Sequence, residues 1–140
     1  MGIFAGIEEV EVHEKTPYVE AGNYIGEVVK VKSGTKAETG QPYFVVEFEI
    51  IESDNPQFRV GEKMAWMKMV NKYKKYFLQD TKGFVATAME CSPTEVTEEV
   101  MEYVSGEEQP LVGKRLSLRA YADEKPNGKS YTETEFRLAS

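Results

Sequence analysis

Six lysines (Lys63, Lys68, Lys72, Lys74, Lys75 and Lys82) fall between residues 63 and 82 beside a single acid, Asp80. This stretch carries 6 − 1 = +5, while the whole chain carries −7. It also holds the only tryptophan, Trp66, with Tyr73, Tyr76 and Phe77 close behind. Ammonium groups interleaved with flat π faces attract phosphates and stack bases without reading their order. The chemistry on offer is binding of single-stranded nucleic acid.

Bond-making chemistry has weaker support. One cysteine, Cys91, and one histidine, His13, fall short of a structural zinc site, and His13 has no partner for a hydrolytic triad. Cys91 reads as a small hydrophobe near a helix end, and a lone cysteine suits a reducing compartment. Gly106–Arg115, GEEQPLVGKR, imitates a phosphate-binding loop but puts six residues between its glycines where that motif has four. Glu47 and Glu49 near Lys63 or Lys68 could serve a Mg2+-dependent nuclease, but acids alternating along a solvent face are far commoner. The expectation is a non-enzyme with no cofactor and no metal.

The balance of −7 runs against the basic surface usual in nucleic-acid binders, yet the acids are segregated. Glu8, Glu9, Glu11, Glu14 and Glu20 lie near the start, and seven glutamates lie between Glu90 and Glu108. Without those twelve acids and Lys15, the rest carries 16 bases against 12 acids, or +4. A length of 140 residues suits one domain with a real core. No run reaches the ~18 apolar residues that span a bilayer, and the N-terminus lacks a basic leader region. The expected setting is the cytoplasm, with no membrane partner.

Rigid elements must position these side chains. Residues 22–32 and 43–52 alternate polar and apolar and read as strands around a hairpin loop at 33–42. Phe44, Val46, Phe48 and Ile50 make one face of the second strand, and Tyr43, Val45, Glu47 and Glu49 the other. Residues 62–70 form a third strand. Its inward set is either Ala65, Met67 and Met69, with Trp66 and Lys68 outward, or Met64 and Trp66. From Asn71, an N-cap by type, the period lengthens to that of a helix with Gly83 as a candidate break. Ser92-Pro93-Thr94-Glu95 is a capping box that opens a second helix ending at Ser105-Gly106. Strands at 114–122 and 130–138 follow. The order β-β-β-α(α)-β-β, mainly β with a helical insert at about 71–105, is that of a five-stranded OB-fold Greek-key barrel. The barrel is expected over 21–140 as a single domain, with residues 1–20 an arm or edge strand.

The run GNYIGEVVKVKSGTKAETGQPYFVVEFEI, the Trp66-Met67-Lys68 strand, the lysine-rich helix entry and the Cys91–Glu95 junction resemble one known group. It is the OB-fold single-stranded DNA-binding proteins of tailed bacteriophages and prophages. The likeness spans roughly residues 20–140. It implies sequence-tolerant coating and protection of single strands in phage DNA replication and recombination, in the host cytoplasm, alongside replication or recombination proteins. Many such proteins end in an acidic tail, whereas this chain ends FRLAS, so any acidic contact falls to the glutamate-rich helix or the arm. A homodimer through an edge strand or the arm is compatible with this order. The rival is a structural or adaptor β-barrel that assembles through protein contacts.

Alternate side chains of a barrel strand face the core or the outside. On that rule Tyr43, Trp66, Tyr121 and Tyr131 are stackers along one groove. Lys30, Lys36, Lys68, Lys72, Arg119, Lys125 and Lys129 are the phosphate partners. Leu116, Leu118, Phe136 and Leu138 point inward. Tyr73, Tyr76 and Phe77, spaced along a helix face, are expected in the core.

Overall fold

Alternation of buried and less buried side chains organises three of the five strands, the first, second and fourth. The computed structural model describes residues 16–70, 73–124 and 130–139, with backbone alone at 123, 124, 130 and 131. In chain order the elements are β1 (Gly22–Thr35), β2 (Pro42–Ser53), β3 (Lys63–Met69), α1 (Lys74–Ala88), α2 (Glu98–Ser105), β4 (Arg115–Glu124) and β5 (Ser130–Leu138). The strands form one antiparallel sheet in the order β3-β2-β1-β4-β5. The structure is thus mainly β, an open five-stranded sheet with two helices.

β1 serves two neighbours, pairing with β4 over Gly22–Glu27 and with β2 over Tyr24–Thr35. Register shifts between Ile25 and Gly26 and between Val28 and Lys30 add the local twist that lets one strand do both. Beyond the end of the β4 pairing, Val31 is buried and needs another partner. The Gln109 side chain supplies it: the Val31 N–H donates to Oε1 at 2.9 Å, and Nε2 donates to the Val31 carbonyl at 2.8 Å.

The sheet curls until its two end strands meet. Trp66 of β3 and Phe136 of β5 touch edge to face, with centroids 4.8 Å apart. Beside this contact Pro17–Val19 run parallel to β3. The Val19 N–H donates to the Ala65 carbonyl and the Ala65 N–H donates to the Pro17 carbonyl, both at 2.9 Å. Tyr18 and Val19 share a cavity of about 230 Å3 with Ala65–Lys68 of β3 and with Thr132 and Thr134 of β5.

The core lies within the curl. Phe44, Val46, Phe48 and Ile50 are buried, as expected from their alternation, as are Leu116 and Leu118. Phe136 is partly buried against the core, while Leu138, at the strand end, is exposed. α1 closes the core from outside the sheet. Its Phe84 ring sits 5.0–6.3 Å from those of Phe136, Trp66, Phe44 and Phe48. Burying one such ring stabilises by roughly 1.5–3 kcal/mol.

The helical insert departs from expectation in three ways. α1 runs unbroken through Gly83, because this position is exposed and costs the helix only glycine's low propensity. Its N-cap is Tyr73, and Asn71 lies outside the described residues. The capping box does form, with the Ser92 N–H donating to Glu95 Oε2 at 2.9 Å, but it caps only a 3-10 turn, Pro93–Glu95. Val96 then turns extended and buries its side chain in the core, so α2 begins afresh behind a second cap, Thr97.

Candidate nucleic-acid interface

β3 settles which way its side chains point. Trp66 stands opposite Val46, Met64 opposite Phe48 and Lys68 opposite Phe44, so all three share the core face. Trp66 is only 6% exposed, which corrects its reading as an outward stacker. The reason is packing: a large ring is held by Phe44, Phe84 and Phe136. Lys68 is likewise no free outward cation. Its stem passes Trp66, with Nζ 5.9 Å from the ring centroid, and its charge meets Asp80 of α1 at 3.3 Å. Met67 and Met69, one alternative for the inward set, are half-exposed on the outer face, and Ala65 is covered beside Pro17–Val19.

The remaining expected residues fall into two groups. Lys30 is exposed on the outer face of β1 opposite Glu47, and Lys36 is exposed in the β1–β2 hairpin. Tyr43 is on the outer face of β2, between Gly34 of β1 and Met69 of β3. Its ring lies on Gly34, where an added Cβ would come within 2.9 Å of the phenol oxygen, so glycine is what seats the ring. Arg119 and Tyr121 are exposed on β4, with the guanidinium 5.5 Å from the Tyr121 centroid and 3.6 Å from Glu135. Arg119 pairs with Asn23, seven residues before Lys30 along β1, or about 23 Å at roughly 3.3 Å per residue. The two groups therefore do not converge on one short groove as expected. Lys72, Lys125 and Lys129 lie outside the described residues, as does the Tyr131 side chain.

Two aromatic residues expected in the core, Tyr73 and Tyr76, are instead exposed at the start of α1. Tyr73 and Tyr76 are 56% and 55% exposed rather than core, with rings edge to face at 5.9 Å. Lys75 Nζ is 5.3 Å from the Tyr76 centroid. Lys74, Lys75 and Lys82 are exposed on the same helix, and none of them, nor Lys36, is ion-paired among the described residues. The hairpin is tied to this end of the molecule: the Val70 N–H donates to the Pro42 carbonyl and Gln41 Nε2 to the Val70 carbonyl, both at 3.0 Å. A band therefore runs from Lys30 and Lys36 over Tyr43 and Met69 to Lys74, which lines one groove with Tyr43 and lies between Tyr73 and Tyr76 in the chain. One awkward carboxylate on it, Glu47, is met by Lys32 at 3.5 Å. The pattern Tyr73-Lys-Lys-Tyr76 was the available signal, since a core stripe is rarely filled with lysines.

A groove of about 790 Å3 adjoins this band, bounded by the hairpin, α1 and α2. Ser33 Oγ and Ser105 Oγ, 2.8 Å apart, tie β1 to α2 at its border. Two groups away from the band have displaced pKa values. The Asp54 carboxyl is held below its ordinary value by hydrogen bonds from the Asn23 side chain and backbone N–H, and burial raises the Tyr24 phenol. Among the described residues no cluster of three or more His, Cys, Asp or Glu is arranged to hold a metal ion, and no helix is long and apolar enough to cross a membrane. No family model matches the chain, and no curated protein matches it in sequence.

Proposed function

We propose that this protein binds single-stranded DNA with little sequence preference, by stacking bases and neutralising phosphates without bond chemistry. The observation that carries the reading is the exposed Tyr73–Tyr76 pair with Lys75 over one of its rings and with Lys74, which lines one groove together with Tyr43 of β2. Two rings with solvent-facing surface, beside ammonium groups that have no carboxylate partner among the described residues, suit a flexible polyanion whose bases are unpaired. Reading the sheet as an OB barrel supports this: β1 is central and coiled by its register shifts, a helix between β3 and β4 packs on the core, and β5 returns to β3. The resemblance to phage single-stranded DNA-binding proteins adds coating of strands during replication or recombination.

Fluorescence anisotropy of labelled oligo(dT) tests the reading. Binding should weaken with salt at a logarithmic slope of about −3 if Lys36, Lys74, Lys75 and Lys82 each meet a phosphate. Tyr76→Ala should cost roughly 1–3 kcal/mol of binding with the fold unchanged. Absence of binding at low salt would sink the proposal and favour the rival, a β-barrel that assembles through protein contacts.

A further inference from the structure

The groove beside the band has oppositely charged walls that do not meet. α1 contributes Lys74 and Lys82 to one side, and α2 contributes Glu98 and Glu102 to the other. All four are exposed, and none is ion-paired among the described residues. The surface between them is aromatic and aliphatic, from Tyr43, Phe77, Leu78 and Met101. At about 790 Å3 the groove lies within the roughly 300–1,000 Å3 typical of small-ligand sites. Its complement is a flat apolar ring with negative charge on one side and N–H donors on the other.

A nucleotide has that shape when its base carries an exocyclic amine. Lys74 and Lys82 are eight residues apart, about 12 Å along the helix axis, so they bracket a nucleotide unit rather than one phosphate. Carboxylates accept from the cytosine N4 amine or the adenine N6 amine. Thymine turns its O4 acceptor toward the same position and gains nothing. Resting on the single-strand reading above, we infer that this groove is a nucleotide subsite that favours amine-bearing bases over thymine, through Glu98 and Glu102. The bias sits on top of otherwise sequence-tolerant binding.

The test compares labelled oligo(dC) and oligo(dT) at neutral pH by anisotropy, for the wild type and for Glu98→Gln/Glu102→Gln. Wild type should bind oligo(dC) about five-fold tighter, the low end of what one carboxylate–amine contact discriminates. Glutamine keeps the size but can turn either a donor or an acceptor to the base, so the double variant should bring the ratio to about one. Both affinities should rise in that variant, because two like charges are gone. Glu107→Gln/Glu108→Gln, exposed and outside the groove, should raise both affinities and leave the ratio alone. Equal wild-type affinities, or a ratio that persists in the Glu98→Gln/Glu102→Gln protein, would overturn the subsite and leave single-strand binding standing. Binding to neither oligonucleotide would overturn both.

Discussion

The Trp66 indole is wedged between Phe84 and Phe136, and that decides what its fluorescence reports. Its emission should be blue-shifted in the native protein and should change little on adding oligonucleotide. Strong quenching by a bound strand would contradict the packing. A second residue-scale expectation concerns acid. Asp54 takes the Asn23 backbone N–H at 2.7 Å and Asn23 Nδ2 at 2.8 Å, which favours the carboxylate. Its folded-state pKa lies below the ordinary 3.8. The stability it contributes is therefore present above that value and lost as pH falls through the lowered one. In melts from about pH 5 to about pH 2, Asp54→Asn should lose less stability than wild type. An identical acid limb in the two proteins would remove Asp54 from the account.

At the scale of elements, the strands were legible because burying one face imposes a period of two. Phe44, Val46, Phe48 and Ile50 are all inward, as are Leu116 and Leu118. β3 resisted because an even-numbered lysine shares the face of an even-numbered tryptophan. A charge on that face argues against burying it, unless the amine can leave the core at the strand end, as Lys68 does toward Asp80. α1 misled for the converse reason. Thr81 occupies a core position with its hydroxyl satisfied by the Phe77 carbonyl at 2.8 Å, so the stripe Phe77–Thr81–Phe84–Ala88 hides a polar residue. Tyr73 and Tyr76 then looked like the missing apolar members. The Gln109 clamp on Val31 gave no sequence signal, being a contact between residues 78 apart. Gly83, exposed and with no atom within 4 Å of an added Cβ, provides the element-scale test. Gly83→Ala should stabilise by roughly 0.5–1 kcal/mol in a denaturant titration. A loss of stability would mean that α1 is not regular there.

For the whole molecule, charge is divided between surfaces. α2 and the turns around it carry glutamates, while the hairpin and α1 carry lysines with no ion pair among the described residues, so a net of −7 coexists with a local cationic band. Such a division leaves a polyanion few ways to approach. If the protein binds single strands as proposed, moderate salt should release them, since exposed contacts are readily screened. The curled sheet has a further weak place, because its end strands meet through rings rather than through a ladder of amides. Pro17–Val19 sit at that place and satisfy both backbone groups of Ala65. Those three residues thus double as a guard against self-templating. Without them, β3 would offer Ala65 to a neighbouring copy on an uncovered border, the kind of surface on which fibrils grow. A chain begun at residue 21 should scatter light more strongly as its concentration rises and take up amyloid dye. One begun at residue 16 should remain clear.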